Sequence, residues 1–336
     1  MMVRILLAFV CFLVSCLTAF AKVRADTDPI SYPHKWLKNS QIQVLIFVPD
    51  KGNGYYRSTR FDWSGIVAQV FYKSHTFFRP WGYSISRTYP LTMHHPDSVN
   101  DGTGTVEEFR QPLGFSEAKS GEYFVKIGVG VLVKPDNEPY NFTRRYQMKT
   151  PADWKVCTTK QRIDFVQNVS TDFGYAYRYV KSIIIHPHNP EFTISHTLKN
   201  TGNNPIISNT YCHNFILLDG QQTGDGYEAN FPDIIDINEF KNESIVHSGG
   251  KLVLKGKIPH TDAFGFPIFN MEMKNEVVIG NTNSKTSIQI SVNQALSSFY
   301  FWLSSTAICP EAMIDIHLES GESITWKNRY VFGLKN

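Results

Sequence analysis

The chain has 336 residues, 42% of them hydrophobic, with 33 basic and 30 acidic side chains and a formal charge of +3. That balance, with no recurring basic stripe, argues against nucleic acid as a partner. The length allows one large domain or two small ones with ample core. The 24 Phe, 16 Tyr and 6 Trp suit β cores, and equally surfaces that hold sugars.

The first element is an export signal. One early Arg is followed by a long apolar run and small residues at Ala19 and Ala21, which predicts a signal peptide over 1–21. A second reading is a lipoprotein signal, "LVSC", in which Cys16 is lipidated and becomes the new N-terminus. No later run reaches the ~20 apolar residues that span a bilayer. The expectation is an exported, periplasmic or secreted protein that touches membrane only through such a lipid. Loss of the signal leaves three cysteines, Cys157, Cys212 and Cys309, so one disulfide at most.

Residues 22–39 read as an extended lead-in, and 40–336 as one domain. "QIQVLIFV" (41–48) alternates and then turns fully apolar, as a strand entering a core does. "PDKGNG" is a turn, and "YYRSTRFDW" (55–63) reads as another extended run. "TVEEFRQPLGF" (105–115) has room for one helical turn, which Pro112 would end. "EYFVKIGVGVLVK" (122–134) reads as one long strand with close backbone approach at its glycines. "GYAYRYVKSIII" and "EFTISHTLKN" form a hairpin around "HPHNP", with Phe192, Ile194, His196 and Leu198 on one face. "KLVLKGKI", "SIQISV" and "SITWKNRYVF" are further strands. Sustained helical periodicity, fixed-length repeats and low-complexity tracts do not occur. The fold class expected is all-β, one large β-sandwich.

Several motifs are weak. His94-His95 and His186-Pro-His188 lack nearby cysteines or repeated carboxylates at ligand spacing, so no metal is expected. No phosphate loop and no G-x-S-x-G elbow occur. Three N-x-S/T triplets, at Asn141, Asn168 and Asn242, matter only in a secretory pathway that glycosylates.

His213, in "SNTYCHNFILLDG" (208–220), is different. It lies in an apparent strand that follows the turn of "KNTGNNPI". Near the C-terminus Glu311 stands in "CPEAMIDIHLESGES" before the last strand. These two stretches resemble the galactose mutarotase-like superfamily, which includes aldose 1-epimerases and hexose-6-phosphate epimerases. There a strand ending in N-T-G leads to a strand with a catalytic His followed by an aromatic, here Phe215. A C-x-E motif precedes an L-x-P-G-E turn, with Ser320 here where Pro is usual. The likeness spans about Tyr175 to Phe332, and the second His beside Gly-Gly that the superfamily often carries upstream is missing.

The resemblance implies the large sandwich of that superfamily and interconversion of sugar anomers without cofactor. Glu311 would act as base on O1 and His213 as acid on O5, the imidazole charged and the carboxyl ionised, facing each other across a sugar-sized hollow. Arg79, Trp81, His95, Arg110 and Asp225 are weaker substrate-binding candidates; Arg60 and His75 are upstream residues that no motif assigns. The partner implied is a monosaccharide or oligosaccharide. Two alternatives stay open: a non-catalytic carbohydrate-binding protein on the same fold, or a polysaccharide lyase-like enzyme. Alternation turns Cys212 away from His213; Cys212 and Cys309 read as two buried thiols or, in an oxidising compartment, as a disulfide.

Overall fold

The computed structural model describes residues 32–81, 95–238, 240–259, 262–269 and 275–334. The expected signal segment and His94 lie outside them. The compact unit is Pro33–Asn336.

In chain order the strands are β1 (His34–Lys38), β2 (Ile42–Phe47), β3 (Ile66–Tyr72), β4 (His75–Thr76) and β5 (Gly104–Phe109). A small hairpin sheet follows, β6 (Tyr123–Lys126), β7 (Gly130–Val133) and β8 (Gln147–Pro151). Next come β9 (Trp154–Thr158), β10 (Arg162–Ser170), β11 (Ala176–Ile185), β12 (Glu191–Asn200) and β13 (Ile206–Phe215). The chain continues through β14 (Tyr227–Asn230), β15 (Ile245–Ser248), β16 (Lys251–Leu254), β17 (Ala263–Ile268) and β18 (Glu276–Asn281). It ends with β19 (Thr286–Val292), β20 (Ser298–Ser304), β21 (Ala307–Leu318) and β22 (Ser323–Leu334).

Among the described residues these form two large antiparallel sheets and a three-stranded one. The first sheet runs β1-β2-β3-β5-β13-β21-β20-β17, with β4 on β3. The second runs β15-β16-β14-β18-β19-β22-β12-β11-β10-β9, and the third β6-β7-β8. Apolar side chains of both large sheets meet in one core: Val44, Ile46 and Val70 from the first, with Phe165, Ile183, Ile194, Tyr330 and Phe332 from the second. The all-β sandwich is therefore the fold. Closing long-range sheets on one another buries the aromatic-rich faces that neither sheet could shield alone.

The hairpin around "HPHNP" forms as alternation requires. β11 and β12 pair from Tyr177↔Asn200 to Ile185↔Phe192, and Phe192, Ile194, His196 and Leu198 are all buried. In the "PDKGNG" turn, Asp50 Oδ1 accepts from the amides of Gly52 and Asn53.

Four stretches differ from their sequence reading. His34–Lys38, at the end of the expected lead-in, is a paired edge strand on β2. Residues 55–63 are an irregular but buried loop, held by Tyr56 Oη, which accepts from the amides of Arg60 and Phe61. The stretch 105–109 is strand, not a helical turn: its two glutamates point to opposite faces, each to a buried cation, and tertiary ion pairing overrides local propensity. Residues 122–134 are two strands, because Gly128 at φ 83° turns the chain back. Where β5 begins, Gly104 has φ 55° and an added Cβ would lie 1.5 Å from the Val67 carbonyl oxygen, so only glycine allows β3 and β5 to approach.

Candidate functional site

β13 is the spine of the site. On one side it pairs with β5, from Thr210↔Phe109 to Phe215↔Gly104. On the other it pairs with β21 from Ile206↔Leu318 to Thr210↔Ile314, then the ladder stops. It resumes at an isolated bridge, Ile216↔Ile308. The gap has a local cause. Pro310 has no N–H to give to the ladder, and the Asn214 side-chain amide takes over, donating to the carbonyls of Pro310 at 2.8 Å and Cys212 at 3.0 Å. Asn214 is itself fixed from the opposite sheet, where the Tyr330 hydroxyl donates to its Oδ1 at 2.9 Å.

Carrying the same register through the gap sets His213 opposite Glu311. Opposed residues on antiparallel strands share a face and lie within reach of one another. His213 Nε2 is 3.4 Å from Glu311 Oε1. The structure thus brings the two together on one wall, not on facing walls of a hollow. They are 5% and 6% exposed, far from the open pair expected from the resemblance.

Aromatic rings frame the imidazole. Phe215 stacks on it at 4.2 Å between centroids, and Trp302 and Phe61 present edges at 5.5 and 5.8 Å. Trp302 is half-buried and touches Trp81 edge-on at 5.6 Å. Tyr300, also half-buried, lies opposite Glu311 on β20.

A buried charge network adjoins the pair. Arg60 Nε donates to Glu108 Oε2 at 2.7 Å, Nη1 to Asn100 Oδ1 at 3.0 Å and Nη2 to the Tyr211 hydroxyl at 3.1 Å. The Tyr211 hydroxyl donates to the same Glu108 oxygen at 2.6 Å. Lys126 Nζ sits 4.0 Å from Glu108 Oε1 and donates to the Tyr140 hydroxyl at 3.0 Å. Burial works to raise the Glu108 carboxyl, but Arg60 and Lys126 outweigh it and hold it below its ordinary range.

The pair titrates differently. Burial pushes the Glu311 carboxyl up to about 8; the nearby Glu108 adds to this, and Arg60 and Arg110 oppose it. Burial, helped by the Arg60 charge, pushes the His213 imidazole well below its ordinary value. Burial thus favours the uncharged form of both groups, a protonated carboxyl beside a neutral imidazole. This is the reverse of the charged imidazolium and ionised carboxylate that the resemblance implies.

The weaker candidates separate. Trp81 joins the aromatic frame. Arg110 is exposed, makes a 3.7 Å contact with Met313 Sδ and acts on Glu311 through its charge. Arg79 follows the edge of the site: its amide donates to the Phe215 carbonyl at 3.4 Å, and its guanidinium lies beside Gly220. His95 is exposed, and its amide donates to Asp101. Asp225 is occupied elsewhere, before β14 of the second sheet, where Oδ1 accepts from the Gly256 amide at 2.9 Å. His75 Nδ1 donates to Asp219 Oδ2 at 2.7 Å. His186 Nδ1 accepts from the amides of His188 and Asn189, a turn-closing role. Among the described residues no group of three or more His, Cys, Asp or Glu side chains could hold a metal ion.

Cys212 faces away from His213, toward the opposite sheet, where the Tyr330 hydroxyl approaches its Sγ at 3.2 Å. Cys157, Cys212 and Cys309 are all free thiols. The sequence reading missed Tyr211 and Trp302, and it did not place Arg60 or Glu108. Tyr211 was legible, since it shares the face of His213 by alternation. Trp302 and Glu108 reach the site through sheet pairing, and Arg60 through the loop after β2.

No family model and no curated protein matches the sequence. Solved structures do match. A putative aldose 1-epimerase from Escherichia coli K12 superposes with a TM-score of 0.55 at 11% identity, over 90% of this chain and 99% of that one. A GalM/aldose epimerase homologue from C. elegans gives the same TM-score, identity and coverage. A galactose mutarotase-like protein from Lactobacillus casei superposes with a TM-score of 0.53 at 11% identity, over 89% of this chain and all of that one. The chain has the galactose mutarotase-like sandwich fold.

Proposed function

We propose that the protein is an aldose 1-epimerase-like isomerase acting on a free monosaccharide or the reducing end of an oligosaccharide. The observation that carries this reading is the 3.4 Å contact between His213 and Glu311 beneath Trp302. Opening a pyranose ring needs a proton removed from O1 and one delivered to O5. Both oxygens are bonded to C1, so an acid and a base side by side on one wall suffice. With the proton at rest on Glu311, the carboxyl gives it to O5 as neutral His213 takes the O1 proton. The C1–O5 bond breaks, C1=O1 forms, the C1–C2 bond rotates, and closure on the other face returns both protons. Glu311 as base and His213 as acid is the same pair with its proton moved across the contact. Each transfer contributes about 10²–10⁴-fold. The half-buried rings of Trp302 and Trp81 suit the apolar face of a sugar.

The test is anomer exchange of freshly dissolved α-glucose and α-galactose, by polarimetry or NMR. Acceleration over buffer that is lost in both His213→Asn and Glu311→Gln supports the reading; no acceleration in the wild type across several sugars sinks it. The second reading, a non-catalytic carbohydrate-binding protein, is favoured by the low exposure of the pair and by an Arg60 already engaged by protein groups. It gains if sugars bind without exchange. Rising ultraviolet absorbance on uronic-acid polymers would instead point to lyase chemistry.

Export belongs to the same proposal, on the pattern of residues 1–21. N-terminal sequencing of the mature protein distinguishes a start at Lys22 from a blocked, lipidated Cys16.

A further inference from the structure

A cleft of about 390 Å³, within the size range of ligand sites, is lined by Arg57, Thr59, Arg145, Tyr146, Gln147 and Met148. None of these residues belongs to the His213–Glu311 pair. One side is the loop after β2 and the other is β8 with its approach. The floor is sewn together: the Tyr146 amide donates to Thr59 Oγ1 at 3.3 Å, and that hydroxyl donates to the Arg144 carbonyl at 3.5 Å.

Two guanidiniums of this cleft converge on one carboxylate, and the Asp50 carboxylate also feels the Arg57 charge. Arg57 Nη2 lies 3.3 Å from Asp97 Oδ2, and Arg145 Nη2 lies 3.4 Å from Asp97 Oδ1. Both contacts exceed the roughly 2.7–2.9 Å of a strong charge-assisted hydrogen bond. Arg57 Nη1 donates to the Gly52 carbonyl, whereas its Nε is buried and makes no hydrogen bond. A buried donor without an acceptor is costly, so the Arg57 guanidinium has hydrogen-bonding capacity that its protein partners leave unused. Nearby Arg144 is taken up by its own partner, Asp136, at 2.7 Å.

We propose that this cleft binds the carboxylate of an acidic saccharide between Arg57 and Arg145. Asp97 already demonstrates that a carboxylate fits the fork from both sides, which matches the planar geometry of guanidinium recognition. The cleft is larger than a lone oxyanion requires. The exposed Gln147 supplies an amide for hydroxyls, and Tyr146 and Met148 add apolar surface. That lining suits a polyhydroxylated ring better than an apolar side chain. The inference goes beyond the proposed isomerase and does not depend on it.

The experiment is calorimetric titration of the mature chain with an α-1,4-linked galacturonate trimer, a neutral galactose trimer and sodium sulfate. The acidic trimer is expected to bind at least about tenfold more tightly than the neutral one, for a charge-assisted bidentate contact. Raising salt from about 50 mM to about 500 mM should weaken it several-fold. Arg145→Glu, at an exposed side chain, should abolish the preference without lowering the melting temperature. Asp97→Asn should tighten binding, because the internal competitor loses its charge and keeps its shape. Equal binding of the two trimers overturns the proposal, as does sulfate matching the acidic trimer, or a preference that survives Arg145→Glu.

Discussion

Two histidines on two strands, His196 and His213, are both buried and both pushed well below their ordinary pKa by burial. Each also has a buried glutamate near Nε2, Glu107 at 3.5 Å from His196 and Glu311 at 3.4 Å from His213, and they differ in where they face. His196 is fully enclosed between the sheets, stacked on Trp326 at 4.6 Å, with Nδ1 2.9 Å from the Tyr179 hydroxyl. His213 lies on the outer face of the first sheet, next to a carboxyl that keeps its proton. The same contrast divides their neighbours on β5. Glu107 points inward to Lys181, and Glu108 outward to Arg60 and Lys126. A depressed imidazole beside a glutamate therefore does not mark a site; the face it looks out from does.

The inner cluster should give the largest effect. Lys181 is fully buried; it pairs with Glu107, lies 3.5 Å from Asp62 Oδ2 and donates to the Ser64 carbonyl at 2.7 Å. Lys181→Met leaves two buried carboxyls without their cation and should cost about 3–5 kcal/mol, read from urea midpoints. Lys126→Met should cost clearly less, because Arg60 still serves Glu108. Equal costs would erase the distinction between the two faces.

The histidines themselves come next. His213→Asn should slow anomer exchange by about 10²–10⁴-fold with little loss of stability. His196→Asn should do the opposite, costing about 1–3 kcal/mol by stranding buried polar groups, with exchange per folded molecule unchanged. A joint loss in both variants would collapse the comparison.

Titration sharpens it further. Glu311 is raised from 4.5 to about 8, so the unfolded chain releases this proton first and stability falls as pH climbs between those values. His213 is depressed below 6.5, so stability rises as pH climbs toward 6.5. Below that point the two trends oppose each other; between 6.5 and about 8 only the Glu311 trend remains. The wild type should lose on the order of 1–2 kcal/mol across that upper window relative to Glu311→Gln. Denaturant midpoints measured at several pH values check this, and parallel curves would count against a protonated Glu311. The smallest effect belongs to Asp225→Ala, about 0.5 kcal/mol or less from a surface turn, with exchange untouched.

Particular residues show what was legible in advance. Pro187, Asn189 and Pro190 stop two alternating runs, so the β11–β12 hairpin could be read directly. Phe215 and Cys212 followed from alternation beside His213. Glu107 and Glu108 could not be read, since two adjacent acids look helical until a cation is found on each face. Gly128 was visible as a glycine but not as the turn that divides residues 122–134. Arg60 was one arginine among several until the loop after β2 folded over β5 and β13.

By itself, then, the sequence determined the strand-rich class, the main turns and the faces of the alternating strands. Those properties depend on neighbours a few positions apart. Only the tertiary structure decided that His213 and Glu311 stand side by side, which carboxyl meets which cation, and where the resting proton sits. Register and burial depth set these, and both arise from sheets assembled out of segments distant in the chain.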